Sequence, residues 1–86
     1  MNELNGKVKM IYEIHQKLNL NIGEMSNEIG VSKSKTTKMF SDLGEQKIIK
    51  EKLLPPWKKI GGTRLWDIEE IVKWNLNTEV KVAYNE

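Results

Sequence analysis

Between Ser32 and Lys38 the chain reads Ser-Lys-Ser-Lys-Thr-Thr-Lys, a run of ammonium and hydroxyl groups with no carboxylate among them. Ammonium groups neutralise phosphate and donate to the acceptors of guanine, and a threonine methyl packs against thymine. The run therefore carries the chemistry of contact with a polyanion. A second cluster, Lys58, Lys59, Thr63 and Arg64, brackets the pair Gly61-Gly62. The net charge of the 86 residues is only +2, but it is unevenly spread. From Lys33 to Arg64 nine basic residues stand against three acidic ones, a balance of +6 that leaves −4 for the rest. One positive surface turned toward a polyanion accounts for that asymmetry. Lysines scattered over a solvated face are the plainer alternative.

Other chemistries find little in this chain. His15 is the only histidine and there is no cysteine, so the usual zinc sites, a thiol nucleophile and a disulfide framework all lack their parts. His15 lies at the edge of an apolar stripe and reads as a packing residue. There is no glycine-rich phosphate loop, and the carboxylates fall where capping or salt bridging explains them. The expectation is a protein that is not an enzyme, with no cofactor and no bound metal. No apolar run approaches the ~20 residues that span a bilayer, and the first residues lack the basic-then-apolar order of a secretory signal. No membrane partner and a cytoplasmic location are expected. A chain of 86 residues, 38% hydrophobic, suits one small domain that buries roughly 60% of its unfolded surface.

Spacing predicts the helices and strands that carry the two clusters. Leu4, Val8, Ile11, Ile14 and Leu18 recur every three or four residues and predict a first helix over about 4 to 18, ended by Asn19 and Asn21. Met25 and Ile29 share one face of a second helix that stops before Gly30, where a positive φ costs glycine little. Val31 drops inward, and Ser32 is placed to cap a third helix. In that helix Thr36, Met39, Phe40 and Leu43 point inward, while Lys33, Ser34, Lys35, Thr37 and Lys38 stay outside. The buried Thr36 hydroxyl then requires a partner. Gly44 or the residues just beyond it should end this helix. The spacing describes a helix-turn-helix, and its second helix presents its first turns as a major-groove reader does. An ordinary helical hairpin with a solvated lysine face has the same local pattern.

Beyond Gly44, Lys47 to Leu54 holds Ile48 and Ile49 and predicts a short strand, followed at Pro55 and Pro56 by a sheet edge, bulge or loop. Trp57 to Ile60 and Thr63 to Trp66 read as two strands around the Gly61-Gly62 turn. Asp67 and Glu70 form an Asp-x-x-Glu capping box for a last helix with Ile68, Ile71, Val72 and Trp74. Trp66 and Trp74 read as core, and Trp57 as packing against the hairpin, with stacking on exposed bases as the alternative for all three. In residues 76–86, Val80, Val82 and Tyr84 alternate, which leaves an edge strand, a dimer contact or a frayed tail open.

Helix, helix-turn-helix, glycine-tipped hairpin and helix is the order of a winged helix-turn-helix domain, mainly α with a small β-hairpin. It would fill residues 1–75 as a single domain, with 76–86 as a C-terminal extension. From Ile22 to about Asn75 the chain resembles the small MerR-related DNA-binding proteins, the phage excisionases and AlpA-type prophage regulators. The matching residues are Gly30, Val31 and Ser32, then Pro55, Pro56, Lys59, Ile60, Gly61, Gly62, Arg64 and Trp66, and last Ile68, Ile71 and Trp74. It departs from that pattern in the preceding helix and in the longer link from Asp42 to Leu54. The same region is also similar to general winged-helix regulators, in which Phe40 to Lys52 would be the end of the recognition helix and the first wing strand.

The resemblance implies sequence-specific binding of double-stranded DNA, in prophage or plasmid recombination and control or in transcription regulation. Ser32, Lys33, Ser34, Lys35, Thr37 and Lys38 would then serve as recognition-helix contacts, and Lys58, Lys59, Thr63 and Arg64 as wing contacts to phosphates or the minor groove. Lys35, Thr37 and Lys38 would set sequence choice, and Lys58, Lys59 and Arg64 would supply affinity. So small a domain holds few base contacts, so a homodimer or a cooperative array on DNA is expected. A winged-helix adaptor that docks a protein partner without binding DNA is the alternative.

Overall fold

The first helix, α1 (Glu3–His15), turns Ile11 into the interior with Val8 beside it, but leaves Ile14 68% exposed. The computed structural model describes residues 3–85, with side chains described for 5–77. Leu4 of the expected stripe therefore lies outside the described side chains. The helix stops short of the predicted Leu18 because Gln16 takes φ 59°. The chain then straightens into β1 (Asn19–Leu20), a strand not expected from the sequence, and Leu18 stays exposed. Two residues are too short to show alternation. Tertiary pairing defines β1, and it brings Leu20 to complete burial.

Asn21 opens α2 (Ile22–Ile29) rather than merely closing the helix before it. Its side chain accepts from the Glu24 amide at 2.8 Å, and the Glu24 carboxylate accepts from the Asn21 amide at 3.0 Å, a complete capping box. Gly30 ends α2 in the left-handed region at φ 80°, as its position predicts. Ser32 caps α3 (Lys33–Leu43), accepting from the Lys35 amide at 3.1 Å. Of the four inward residues expected there, Thr36 is fully buried and Met39 and Phe40 pack on the core. Leu43, in the last turn, is 39% exposed instead.

Gly44, at φ 84°, ends α3 and begins α4 (Glu45–Glu51), so the segment Lys47 to Leu54, predicted as a short strand, is helical as far as Glu51 and irregular beyond it. Adjacent isoleucines favour a strand locally. The backbone is nonetheless helical, and only one of the two enters the core: Ile48 is fully buried while Ile49 is 60% exposed. The i,i+4 pair Lys47–Glu51 at 3.1 Å adds support. Lys52 closes the helix at φ 54°, and Pro55 and Pro56 follow in irregular chain.

The hairpin consists of β2 (Lys58–Ile60) and β3 (Thr63–Asp67), joined by Gly61 and Gly62 at φ 58° and 84°. Two consecutive positive φ values are what a two-residue type I′ turn requires. The antiparallel sheet runs β1-β3-β2. Asp67 accepts from the Glu69 amide at 3.1 Å as the cap of α5 (Ile68–Asn85). The Glu70 carboxylate, expected to complete a capping box, lies 4.0 Å from Lys73. The backbone of α5 continues through the segment that alternation left open as an edge strand, and residue 86 lies outside the described residues.

One core holds these elements together. Ile11, Leu20, Met25, Ile48, Leu54, Trp66, Ile68, Ile71 and Val72 pack as a single cluster drawn from both ends of the chain. The chain is thus one mainly helical domain, with five helices and three short strands among its described residues.

Candidate nucleic-acid interface

The first turns of α3 are held rigidly from within. Thr36 accepts from the Ser26 hydroxyl at 2.8 Å and donates to the Ser32 carbonyl at 3.2 Å, tying α3 to α2 and to its own cap. The requirement for a partner to this buried hydroxyl is met twice. At the corner between the helices, the Val31 amide donates to the Ser26 carbonyl at 2.9 Å. Ser32, Lys33, Ser34, Lys35, Thr37 and Lys38 all remain exposed. Ser32 is committed to its cap. Lys38 lies 3.3 Å from Asp42, an exposed i,i+4 pair that screens part of its charge.

The hairpin divides its expected contacts between two faces. Lys59 is registered with Arg64, whereas Lys58 is registered with Leu65 and Ile60 with Thr63. Side chains alternate along a strand, so Lys59 and Arg64 share one face, and Lys58, Ile60 and Thr63 share the other. On the first face both cations meet Glu45. Lys59 Nζ lies 2.8 Å from Glu45 Oε2, while Arg64 donates to the same oxygen through Nε at 2.9 Å and through a terminal nitrogen at 2.7 Å. The Lys59 ammonium and then the Arg64 guanidinium hold the Glu45 carboxyl below its usual range. Arg64 also lies 3.9 Å above the Phe40 ring. The hairpin cations expected to act together are therefore separated: Lys58 and Thr63 face outward, and Lys59 and Arg64 are held at the joint with α3 and α4.

Aromatic side chains complete this joint. Phe40 packs edge-on to Trp57 at 5.2 Å and to Trp66 at 6.4 Å, and the two indoles are 5.9 Å apart. Trp66 is fully buried and donates to the Pro55 carbonyl at 2.9 Å, in keeping with its expected core role. Trp57 is half-buried in this packing. Trp74 is half-buried as well, and its indole donates to the Lys52 carbonyl at 3.1 Å. It lines an open, mostly apolar groove of about 500 Å³ with Ile49, Leu54, Pro56 and Trp57.

The role of Glu45, an acidic residue within the basic segment, is not legible in the sequence, because the contact needs the hairpin register. His15 has a further role as well. That ring is more than a packing residue, since its Nε2 is 2.8 Å from Glu28 and its Nδ1 3.9 Å from Glu24, with Lys17 2.9 Å from the same Glu24 oxygen. Partial burial pushes the Glu24 carboxyl up, but the Asn21 amide, Lys17 and His15 outweigh it and leave the group below its usual range.

Among the described residues no group of three histidine, aspartate or glutamate side chains is arranged to hold a metal ion. No helix among them is long and apolar enough to cross a membrane. Set against models of protein families, curated proteins and solved structures, the chain matches none.

Proposed function

We propose that this protein is a winged helix-turn-helix that binds double-stranded DNA sequence-specifically, with α3 in the major groove and the β2–β3 hairpin as its wing. The observation that carries this reading is the exposed run Lys33, Ser34, Lys35, Thr37 and Lys38 on a helix fixed by its Ser32 cap and by the buried Ser26–Thr36 bond. Rigid elements hold donors in register with base edges better than loops do. The role is that of a small transcriptional regulator or an excisionase-like directionality factor in recombination. The protein acts as a homodimer or a cooperative array, since few base contacts fit on one copy and site selection takes several kcal/mol.

Retention of a randomised duplex pool at moderate salt, followed by sequencing, tests this. A recovered motif is expected, repeated or palindromic if copies bind together. Salt-sensitive retention without a motif reduces the reading to non-specific binding, and no retention removes it.

The apolar groove beside Trp74, with Ile49 60% exposed, favours a second reading, a module that docks an apolar helix of a protein partner. Such an adaptor shows no retention of duplex at any salt.

A further inference from the structure

Cross-strand partners with the same charge destabilise a strand pair. Lys59 and Arg64 are such partners, directly opposite on one face of the hairpin. Glu45 supplies the missing anion: its Oε1 accepts from Lys59 at 3.0 Å, and its Oε2 accepts from Arg64. Gly44 sets the direction of that carboxylate, since its φ of 84° and ψ of 157° turn the chain sharply between α3 and α4. The Arg64 guanidinium is further confined by Phe40, the α3 residue beneath it. One carboxylate therefore joins both hairpin strands to the corner between two helices.

The geometry points to Glu45 as the positioning residue that fixes the hairpin against α3, committing Lys59 and Arg64 to the joint and leaving Lys58 and Thr63 as the outward contacts. The clamp stands on its own contacts, whereas its effect on DNA affinity rests on the reading proposed above. If α3 and the hairpin grip one duplex, their relative orientation is part of the binding site, and loosening it costs affinity although no cation is lost.

Hydrogen exchange and duplex binding of the full chain test this in three forms: unaltered, Glu45→Gln, and Glu45→Gln with Lys59→Gln. In the first variant, amides of Ile60 to Leu65 should exchange about fivefold faster, while those of α2 and α5 keep their protection. The second substitution removes one of the two opposed charges and should restore part of the hairpin's protection. Unchanged hairpin exchange, or an equal loss in α2 and α5, overturns the clamp.

Duplex affinity should fall about fivefold in Glu45→Gln with the same dependence on salt, because the number of phosphate contacts is unchanged. Affinity that stays the same or rises would show Glu45 to be dispensable to binding or a mask over cations, and would overturn the positioning role. If the unaltered protein retains no duplex, the DNA reading fails by itself, and the exchange experiment still decides the clamp.

Discussion

Thr36 occupies a position where valine would pack as well, yet its hydroxyl is completely buried and engaged with both Ser26 and Ser32. Replacing Thr36 by valine leaves the Ser26 hydroxyl without its acceptor in the interior, and such a group costs about 1–3 kcal/mol. Urea unfolding should register that loss. The double variant Ser26→Ala with Thr36→Val should regain most of it, because no unpaired hydroxyl remains. Equal losses in the single and double variants would mean that the pair contributes nothing as a pair. The Glu24 carboxylate links stability to pH. Its carboxyl titrates below the ordinary 4.5 in the folded protein, so on acidification the unfolded chain takes up the proton first. The stability it contributes is complete above that ordinary value and is lost as pH falls through the lower folded value. Unfolding measured from neutral pH down through this window should show a shallower acid decline for Glu24→Gln than for the unaltered chain.

The elements differ in how far local chemistry determines them, and α4 is the clearest case. Ile48→Ala should cost about 2–5 kcal/mol, as truncation of a fully buried isoleucine does. Ile49→Ala should stay within about 0.5 kcal/mol, as exposed substitutions do. Chemical denaturation of both variants checks that contrast, and similar costs at the two sites would contradict the burial seen in α4. The local signals here conflicted: the adjacent isoleucines favour a strand, whereas Glu45, Gln46, Lys47, Lys50 and Glu51 favour a helix and include an i,i+4 pair. The corner from Ile29 to Ser32 was legible for the opposite reason, since Gly30 and Ser32 act on backbone groups within a few residues. The Gly61-Gly62 turn was legible in the same way. Asn21 and Glu24 spelled a capping box just as plainly, but the asparagine read as the end of one helix rather than the start of another. The β1 pairing and the Glu45 clamp lay beyond any local reading, because each joins residues that only the finished fold brings together. For the candidate site this means that the exposed face of α3 was readable, while the division of the hairpin cations was not.

The charge asymmetry of the sequence overstates the number of cations left free on the folded surface. Each lysine or arginine that neutralises a phosphate steepens the log-log dependence of affinity on salt by about 0.9. Counting every expected contact of helix and hairpin would include Lys59 and Arg64, yet both already face the Glu45 carboxylate. If the protein binds duplex DNA as proposed, replacing Lys33, Lys35 and Lys38 together by glutamine should flatten the salt dependence of that binding by about 2–3 in slope, with Lys38 contributing least because Asp42 lies beside it. Lys58→Gln should flatten it by about 1, whereas Arg64→Gln should lower affinity with almost no change in slope. Titrations of a labelled duplex across a range of salt concentrations separate these outcomes. A slope change for Arg64→Gln as large as that for Lys58→Gln would mean that the guanidinium leaves Glu45 for a phosphate when DNA binds. The joint would then be a contact exchanged on binding rather than a fixed link between α3 and the hairpin.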